Sequence, residues 1–534
     1  QEFEIGDIFS MGTTTNTKVK LDINSLAMHT FITGTTGSGK SNTVYQLLRE
    51  LKKQKIHFLV VEPAKGEYKH VFGNDDAKVY GTNIYLTPLL KLNPFKFPVG
   101  IHVLEHIDRL IEIFNVCWPM YAAMPAVLKE SVERSYKNAG WDLETSRNIY
   151  SDMLFPTFVD VLRELNNVMN ESAFSDEVRD NYIGALATRI QSLANGIYKR
   201  IFDSDELGDE KLFDENVIVD LSRVGSVETK SMIMGILVMR LQEYRMTSGY
   251  MNADLKHVTV LEEAHNLLKR TSTEQSGESA NLLGKSVEML SNAIAEVRTY
   301  GEGFIIADQA PGLLDMSVIR NTNTKIIMRL PDADDRNLVG KSANLTEEQI
   351  KELAKIPTGI AAVYQNNWLE PVLCKVGYES TDGIYKNKHE DHILDYSEES
   401  LIINKLLDKV AGERLDLNMN ELIDKVIKSS FTTYEKTELI RLFKQNGYIG
   451  IDDIQSVIFN IVANDDLIRE AEGSESIEEW MNTYIYAEDS IVSGLSEWRR
   501  NQIAECILRE QIMRHEVEEG YLEQFREYIN SEVI

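Results

Sequence analysis

The chain has 534 residues, 43% of them hydrophobic and 26% charged, an ordinary globular composition with room for about three or four domains. Its formal net charge of −28 excludes general adhesion of the whole surface to nucleic acid or anionic lipid. No apolar run approaches the roughly 18 residues of a membrane span, and neither a signal nor a transit pattern is read at the start, which is Gln1.

Taken in chain order, residues 1–25 contain the stretch "FEIGDIFSMGTTTNTKVKLDI". "MHTFITG" then reads as a short buried strand, and the loop "TGTTGSGKSN" follows it. Gly34, Gly39, Lys40 and Ser41 fit G-x-x-x-x-G-K-[ST], the P-loop pattern. Its glycines let successive main-chain N–H groups curl around phosphate, its lysine reaches the β- and γ-phosphates, and its serine hydroxyl takes Mg²⁺. The nucleotide contacts are therefore expected from Gly34, Thr35, Thr36, Gly37, Ser38, Gly39, Lys40, Ser41 and Asn42. After the loop, Val44, Leu47, Leu48 and Leu51 share one helical face, so the helix N-terminus points at the phosphates.

From here to about residue 376 short apolar runs recur: "HFLVVE", "NVIVDLS", "HVTVLEEA", "GFIIAD", "TKIIMRL" and "GIAAVYQ". Several are separated by helix-like segments, and near-continuous apolar runs belong to a parallel sheet covered on both faces. The expected fold is a doubly wound α/β nucleotide-binding core over residues 26–376. Between about residues 101 and 210 the pattern turns helical, as in "HVLEHIDRLIEIFNVCW" and "FPTFVDVLRELNNVM", and reads as an insertion in that core. Residues 377–400 read as a polar linker. Residues 401–534 read as a helical domain; from residue 391 onward there are 14 Lys+Arg against 31 Asp+Glu, a net −17, which makes this region a poor nucleic-acid binder and either a solvated acidic helical surface or a dock for a basic partner. Cys117, Cys374 and Cys506 are far apart and lack metal-type spacing, which fits free thiols in a reducing cytoplasm.

A P-loop specifies nucleotide, and hydrolysis needs more. In "VTVLEEAHNLL" a strand ends on Glu262 and Glu263; the first carboxylate suits the Mg²⁺ shell and the second can polarise the attacking water. Gln309 follows the next strand and can sense the γ-phosphate, and Arg298, ahead of that strand, can stabilise charge developing in transfer. The loop Leu268–Ser286 carries Lys269, Arg270 and Lys285 among small polar residues, either as a simple exposed loop or as a DNA-facing one.

In this order, "HTFITGTTGSGKSNT", "VVEPAKGEYK", "LLKLNPF", "VLEEAHNLL" and "VRTYGEGFIIADQAP" resemble the HerA/FtsK superfamily, specifically the HerA-like bacterial and archaeal ATPases, over about residues 5–375. The resemblance implies a RecA-like core assembled as a homohexameric ring that hydrolyses ATP between subunits and pumps double-stranded DNA through its pore. Carried over position by position, it makes Lys40 and Ser41 the phosphate and Mg²⁺ ligands, Glu262 the metal-side acid, Glu263 the base and Gln309 the sensor. "EPAKGEY" becomes the acidic motif, with Glu62 and Glu67 behind the site. Arg298, with Arg320 as second choice, becomes an arginine acting in the same or the neighbouring subunit. The sequence departs from the family in having Glu262 where aspartate is more common, Asp308 where Thr or Ser is common, and at most a remnant, in residues 1–25, of the N-terminal β-barrel. The family pattern also implies an effector partner, a nuclease or a sirtuin-type NADase in antiphage systems. That leaves three readings open: a DNA translocase, an ATP-binding scaffold that activates an effector, and a conjugation or secretion ATPase, which the missing membrane segment disfavours.

Overall fold

The computed structural model describes residues 2–532 apart from 75, 249, 272–277, 381–382, 388–396, 413–417, 447–448, 463–473, 475, 486–490 and 493. In chain order its strands are β1 (Glu2–Ser10), β2 (Thr13–Asp22), β3 (Thr30–Thr33), β4 (His57–Glu62), β5 (Lys78–Gly81), β6 (Trp141–Asp142), β7 (Arg147–Asn148), β8 (Val217–Asp220), β9 (His257–Glu262), β10 (Glu302–Asp308), β11 (Thr324–Ile327), β12 (Ile360–Gln365) and β13 (Val372–Val376). The residues divide into two compact units.

The first unit comprises Gln1–Glu130, Ser172–Leu186 and Leu207–Asp391. It holds one sheet in the order β2-β1-β13-β12-β11-β3-β10-β9-β4-β8-β5. From β11 to β5 every pairing is parallel, and β12, β13, β1 and β2 continue it antiparallel. Residues of β3, β8, β9 and β10 are buried without exception, which is why those runs lack polar alternation. The register places Thr33 opposite Asp308, and Glu262 opposite Ala307, so three strands end level with one another. Helix Lys40–Lys53 lays Val44, Leu47, Leu48 and Leu51, all fully buried, on the sheet. Each such side chain contributes roughly 1.5–3 kcal/mol of burial, enough to fix where the helix begins.

Residues 1–25, expected to hold at most a remnant of a barrel, contain the hairpin of β1 and β2. β1 and β2 turn at Met11 and Gly12, both with positive φ, and β1 pairs with β13 to extend the core sheet. Phe3, Ile5, Val19 and Leu21 are buried on the core side, which fixes the register.

The second unit comprises Ser131–Glu171, Ala187–Glu206 and His392–Ile534. Part of the 101–210 stretch thus folds with the C-terminal helices and part with the sheet. Helix Phe158–Glu171 is amphipathic, with Phe158, Val161, Leu165, Val168 and Met169 buried, and its buried Asp160 accepts the Thr433 hydroxyl. Helix Thr433–Lys444 starts on a capping box between Thr432 and Glu435. A separate core runs through Leu406, Leu439, Ile458, Trp480 and Ile507. Cys117, Cys374 and Cys506 are buried and unpaired. Among the described residues no helix is long and apolar enough to cross a membrane. Of the expected linker, 381–382 and 388–396 lie outside the described residues, as do 272–277 of the polar loop after β9.

Candidate functional site

The loop after β3 is shaped by what its glycines lack. A Cβ on Gly34 would stand 2.5 Å from Ser38 Oγ and 2.7 Å from Met328 Cβ, so no other residue fits. Gly37 and Gly39 have φ of +75° and +105°, the left-handed region that turns main-chain N–H groups inward. Helix Lys40–Lys53 begins with no side-chain cap, leaving its first N–H groups for an anion. The outside of the loop is held by Thr35 N donating to Arg329 O at 3.0 Å, Gly359 N to Ser38 O at 2.9 Å and the Thr358 hydroxyl to Gly37 O at 3.2 Å.

The acid pair closes over this loop from β9. Lys40 Nζ lies 2.9 Å from Glu262 Oε2 and 3.2 Å from Glu263 Oε1, joining residues more than 220 positions apart. Glu263 itself has φ 47° and ψ 49°, a strained conformation for a non-glycine residue that breaks the strand and redirects its carboxylate. Burial works against the Lys40 charge, yet the two carboxylates outweigh it and hold its pKa above the usual lysine value. Burial likewise raises the pKa of Glu263, with Lys40 opposing and Asp308 reinforcing.

Around these groups stands a supporting layer. Tyr68, fully buried, donates its hydroxyl to Glu262 Oε1. Glu62, at the end of β4, accepts from Glu67 N at 2.8 Å and Tyr68 N at 3.2 Å and so fixes the loop that delivers Tyr68. Burial pushes the Glu62 carboxyl up to about 8, with Asp220 and Glu262 adding to the effect and the two N–H groups opposing it. Asp308, fully buried at the end of β10, receives both the main-chain N–H and ring Nδ1 of His265 on Oδ2, each at 2.8 Å, and Ala310 N on Oδ1 at 2.8 Å. The hydrogen bond to Asp308 holds His265 above the usual imidazole value. His265 Nδ1 is also 3.7 Å from Glu263 Oε2, and that oxygen is buried with no hydrogen-bond partner among the described residues.

The structure therefore brings together Lys40, Glu262, Glu263 and Gln309, whose Oε1 accepts the Thr36 hydroxyl at 3.1 Å. Ser41 stands half-buried in the first helical turn. Asn42 differs from expectation: its amide is occupied by Gly377 O and Glu379 N, so its side chain serves the protein rather than phosphate. Arg298 and Arg320 are not brought to the loop within one chain. Arg298 is exposed in the turn Val297–Tyr300, ahead of β10, and its charge acts on His29 at the start of β3; the phosphate loop lies at the far ends of those strands, about 20 Å away for a seven-residue strand. Arg320, also exposed, ends helix Met316–Arg320 just before β11 begins. Sequence reasoning assigned no role to Tyr68, His265 or Met328; the position of His265 beside the acid pair was visible, but its partner Asp308 lies 43 residues on.

Residues 3–241 match the family model described as "Helicase HerA, central domain". The chain is 25% identical over 384 residues to the DNA double-strand break repair helicase HerA of Sulfolobus acidocaldarius, covering 70% of this chain and 71% of that one. It is 26% identical over 423 residues to the probable DNA double-strand break repair helicase HerA of Methanocaldococcus jannaschii, covering 70% and 76%. Among solved structures, VirB4 of Thermoanaerobacter pseudethanolicus shares the fold, with a TM-score of 0.54 at 16% identity over 70% of this chain and 96% of that one.

Proposed function

We propose that this chain is a HerA-like ATPase of the HerA/FtsK superfamily, a homohexameric motor that moves double-stranded DNA for a partner effector. The observation that carries the reading is the Lys40 ammonium held between Glu262 and Glu263 beneath the phosphate loop, because it unites the binding and hydrolytic halves in one chain. Names of relatives that act on DNA breaks support the substrate.

In the proposed mechanism the N–H groups of the loop and of the first helical turn hold the α- and β-phosphates, and Lys40 turns from the acid pair to the β- and γ-phosphate oxygens. A hydroxyl and a carboxylate, Ser41 and Glu262, are the hard oxygen donors that Mg²⁺ prefers, and the Tyr68 hydrogen bond orients the latter. Held by these two residues, Mg²⁺ would supply positive charge to offset that of the phosphates during transfer. Glu263, whose second oxygen is free of hydrogen bonds, accepts the proton of the attacking water, and its raised pKa suits a base. Gln309, already on Thr36, reports the γ-phosphate to β10. Arg298 acts across the subunit boundary, since its own P-loop lies at the opposite end of the sheet; such a finger is worth roughly 10³–10⁵ in rate and couples activity to assembly.

The net −17 of the residues from 391 onward favours a second reading, in which the ring is an ATP-dependent scaffold whose acidic helices dock a basic effector such as a nuclease or sirtuin-type NADase. Steady-state turnover with and without duplex DNA separates the two. A motor turns over faster with duplex, and the response collapses as salt rises; turnover that ignores DNA and rises only with an added effector protein establishes the scaffold. Neither response, with monomers in ATP and magnesium, refutes both.

A further inference from the structure

Past β13 the chain continues as a short strap, Gly377–Glu379, across the first turn of the P-loop helix. Asn42 binds it twice: Nδ2 donates to Gly377 O at 2.7 Å, and Oδ1 accepts from Glu379 N at 2.8 Å. Gly377 N donates in turn to Ile5 O at 3.0 Å. Arg49, two turns along the same helix, places Nε 3.6 Å from the Glu379 carboxylate, and Gln46 between them approaches Gly377 so closely that a Cβ there would stand 3.1 Å from Gln46 Oε1. The residue between the two Asn42 bonds is Tyr378, 83% exposed. Among the described residues it has no hydrogen bond and no ring contact. A large aromatic side chain is thus displayed on main chain that is pinned on both sides, the arrangement that makes a contact surface cheap to use because its order is already established.

We propose that Tyr378 is the stacking platform for the base of the bound nucleotide, with Asn42 as the residue that positions it. The inference rests on the phosphate-loop reading above. Main-chain N–H groups at the end of the loop and the start of the helix cradle the α- and β-phosphates, while Lys40 reaches outward to the γ-phosphate. Sugar and base leave from the α-phosphate, on the side of the first helical turn, and that turn is where the strap crosses. Stacking on a phenol ring uses the π-face common to all bases and no edge pattern. The subsite therefore selects nucleotides over bare polyphosphate and does not separate adenine from guanine.

The test uses the full chain with Mg²⁺ and titrates ADP, GDP and inorganic tripolyphosphate into wild type, Tyr378→Ala and Tyr378→Phe by calorimetry. Tyr378→Ala is expected to weaken ADP and GDP binding by about 5- to 150-fold, the equivalent of the ~1–3 kcal/mol of a base–aromatic stack, with tripolyphosphate unchanged. Tyr378→Phe keeps the ring and is expected to match wild type. ADP affinity within twofold of wild type in Tyr378→Ala overturns the proposal, and so does an equal loss for tripolyphosphate, which would mean the strap merely supports the loop. Wild type that binds neither ADP nor tripolyphosphate would instead overturn the phosphate-loop reading itself.

Discussion

Replacing Glu62 with glutamine puts a magnitude on the electrostatic stress behind the phosphate loop. Glu62 is 3% exposed, accepts two main-chain N–H groups and faces Asp220 and Glu262, and its carboxyl is raised from the ordinary 4.5 to about 8. A carboxyl raised in the folded state binds its proton more tightly there than in the unfolded chain. Its stabilising contribution is therefore complete below pH 4.5 and is lost as pH rises toward 8. At about 1.4 kcal/mol per unit, the whole shift is worth about 5 kcal/mol, of which about 4 kcal/mol falls between pH 5 and 8.5. Glutamine cannot ionise, so Glu62→Gln carries only a pH-independent loss of about 1–2 kcal/mol for the backbone N–H that its amide nitrogen cannot accept. Urea unfolding of both proteins, without nucleotide or magnesium, should show wild type losing about 4 kcal/mol relative to the variant across that range. Differences cancel the titrations of groups remote from Glu62. Stabilities that run parallel within about 1 kcal/mol from pH 5 to 8.5 would refute the claim that burial holds Glu62 protonated.

The remaining expectations concern turnover and binding. Lys40→Ala should abolish binding of a fluorescent ATP analogue, whereas Glu263→Gln should bind it normally and lose roughly 10²–10⁴ in phosphate release, the usual contribution of a general base. Arg298→Ala should lose hydrolysis while sedimenting as the same assembly, and in mixtures with wild type its activity should deviate from proportionality to the wild-type fraction; a strictly linear mixing curve argues against a contribution across subunits. Asp308→Asn should lower kcat at least about tenfold with ADP affinity preserved, because Asp308 Oδ2 fixes both the main chain and the ring of His265. His265→Asn, which offers an amide donor near the position of Nδ1, should keep more activity than His265→Ala; equal activities would show that the Asp308 hydrogen bond does not orient the acid pair.

Much of this molecule was legible from local pattern. Glycines at 34 and 39 followed by Lys40 and Ser41 announce a phosphate loop because the chemistry is local: consecutive N–H groups, one ammonium and one hydroxyl within a few residues. The buried strands declared themselves by apolar runs, and a parallel sheet followed from burial on both faces. The acid pair was visible because it ends one of those runs, and the parallel register then carries Glu262 and Asp308 to the level of Thr33.

What tertiary structure alone decided involves partners distant in the chain. Nothing near Asn42 predicts that its amide is taken by residues 377 and 379, more than 330 positions away. Residues 1–25 alternate as any exposed hairpin does, and only pairing with β13 makes them the edge of the core sheet. Helix Phe158–Glu171, which folds with the second unit, has the same periodicity as the helical segments before it, since amphipathic pattern fixes that a face is buried without fixing against what. The placement of Arg298 at the start of β10 and Gln309 at its end follows from strand direction, which turns eleven residues of sequence into the full width of the sheet.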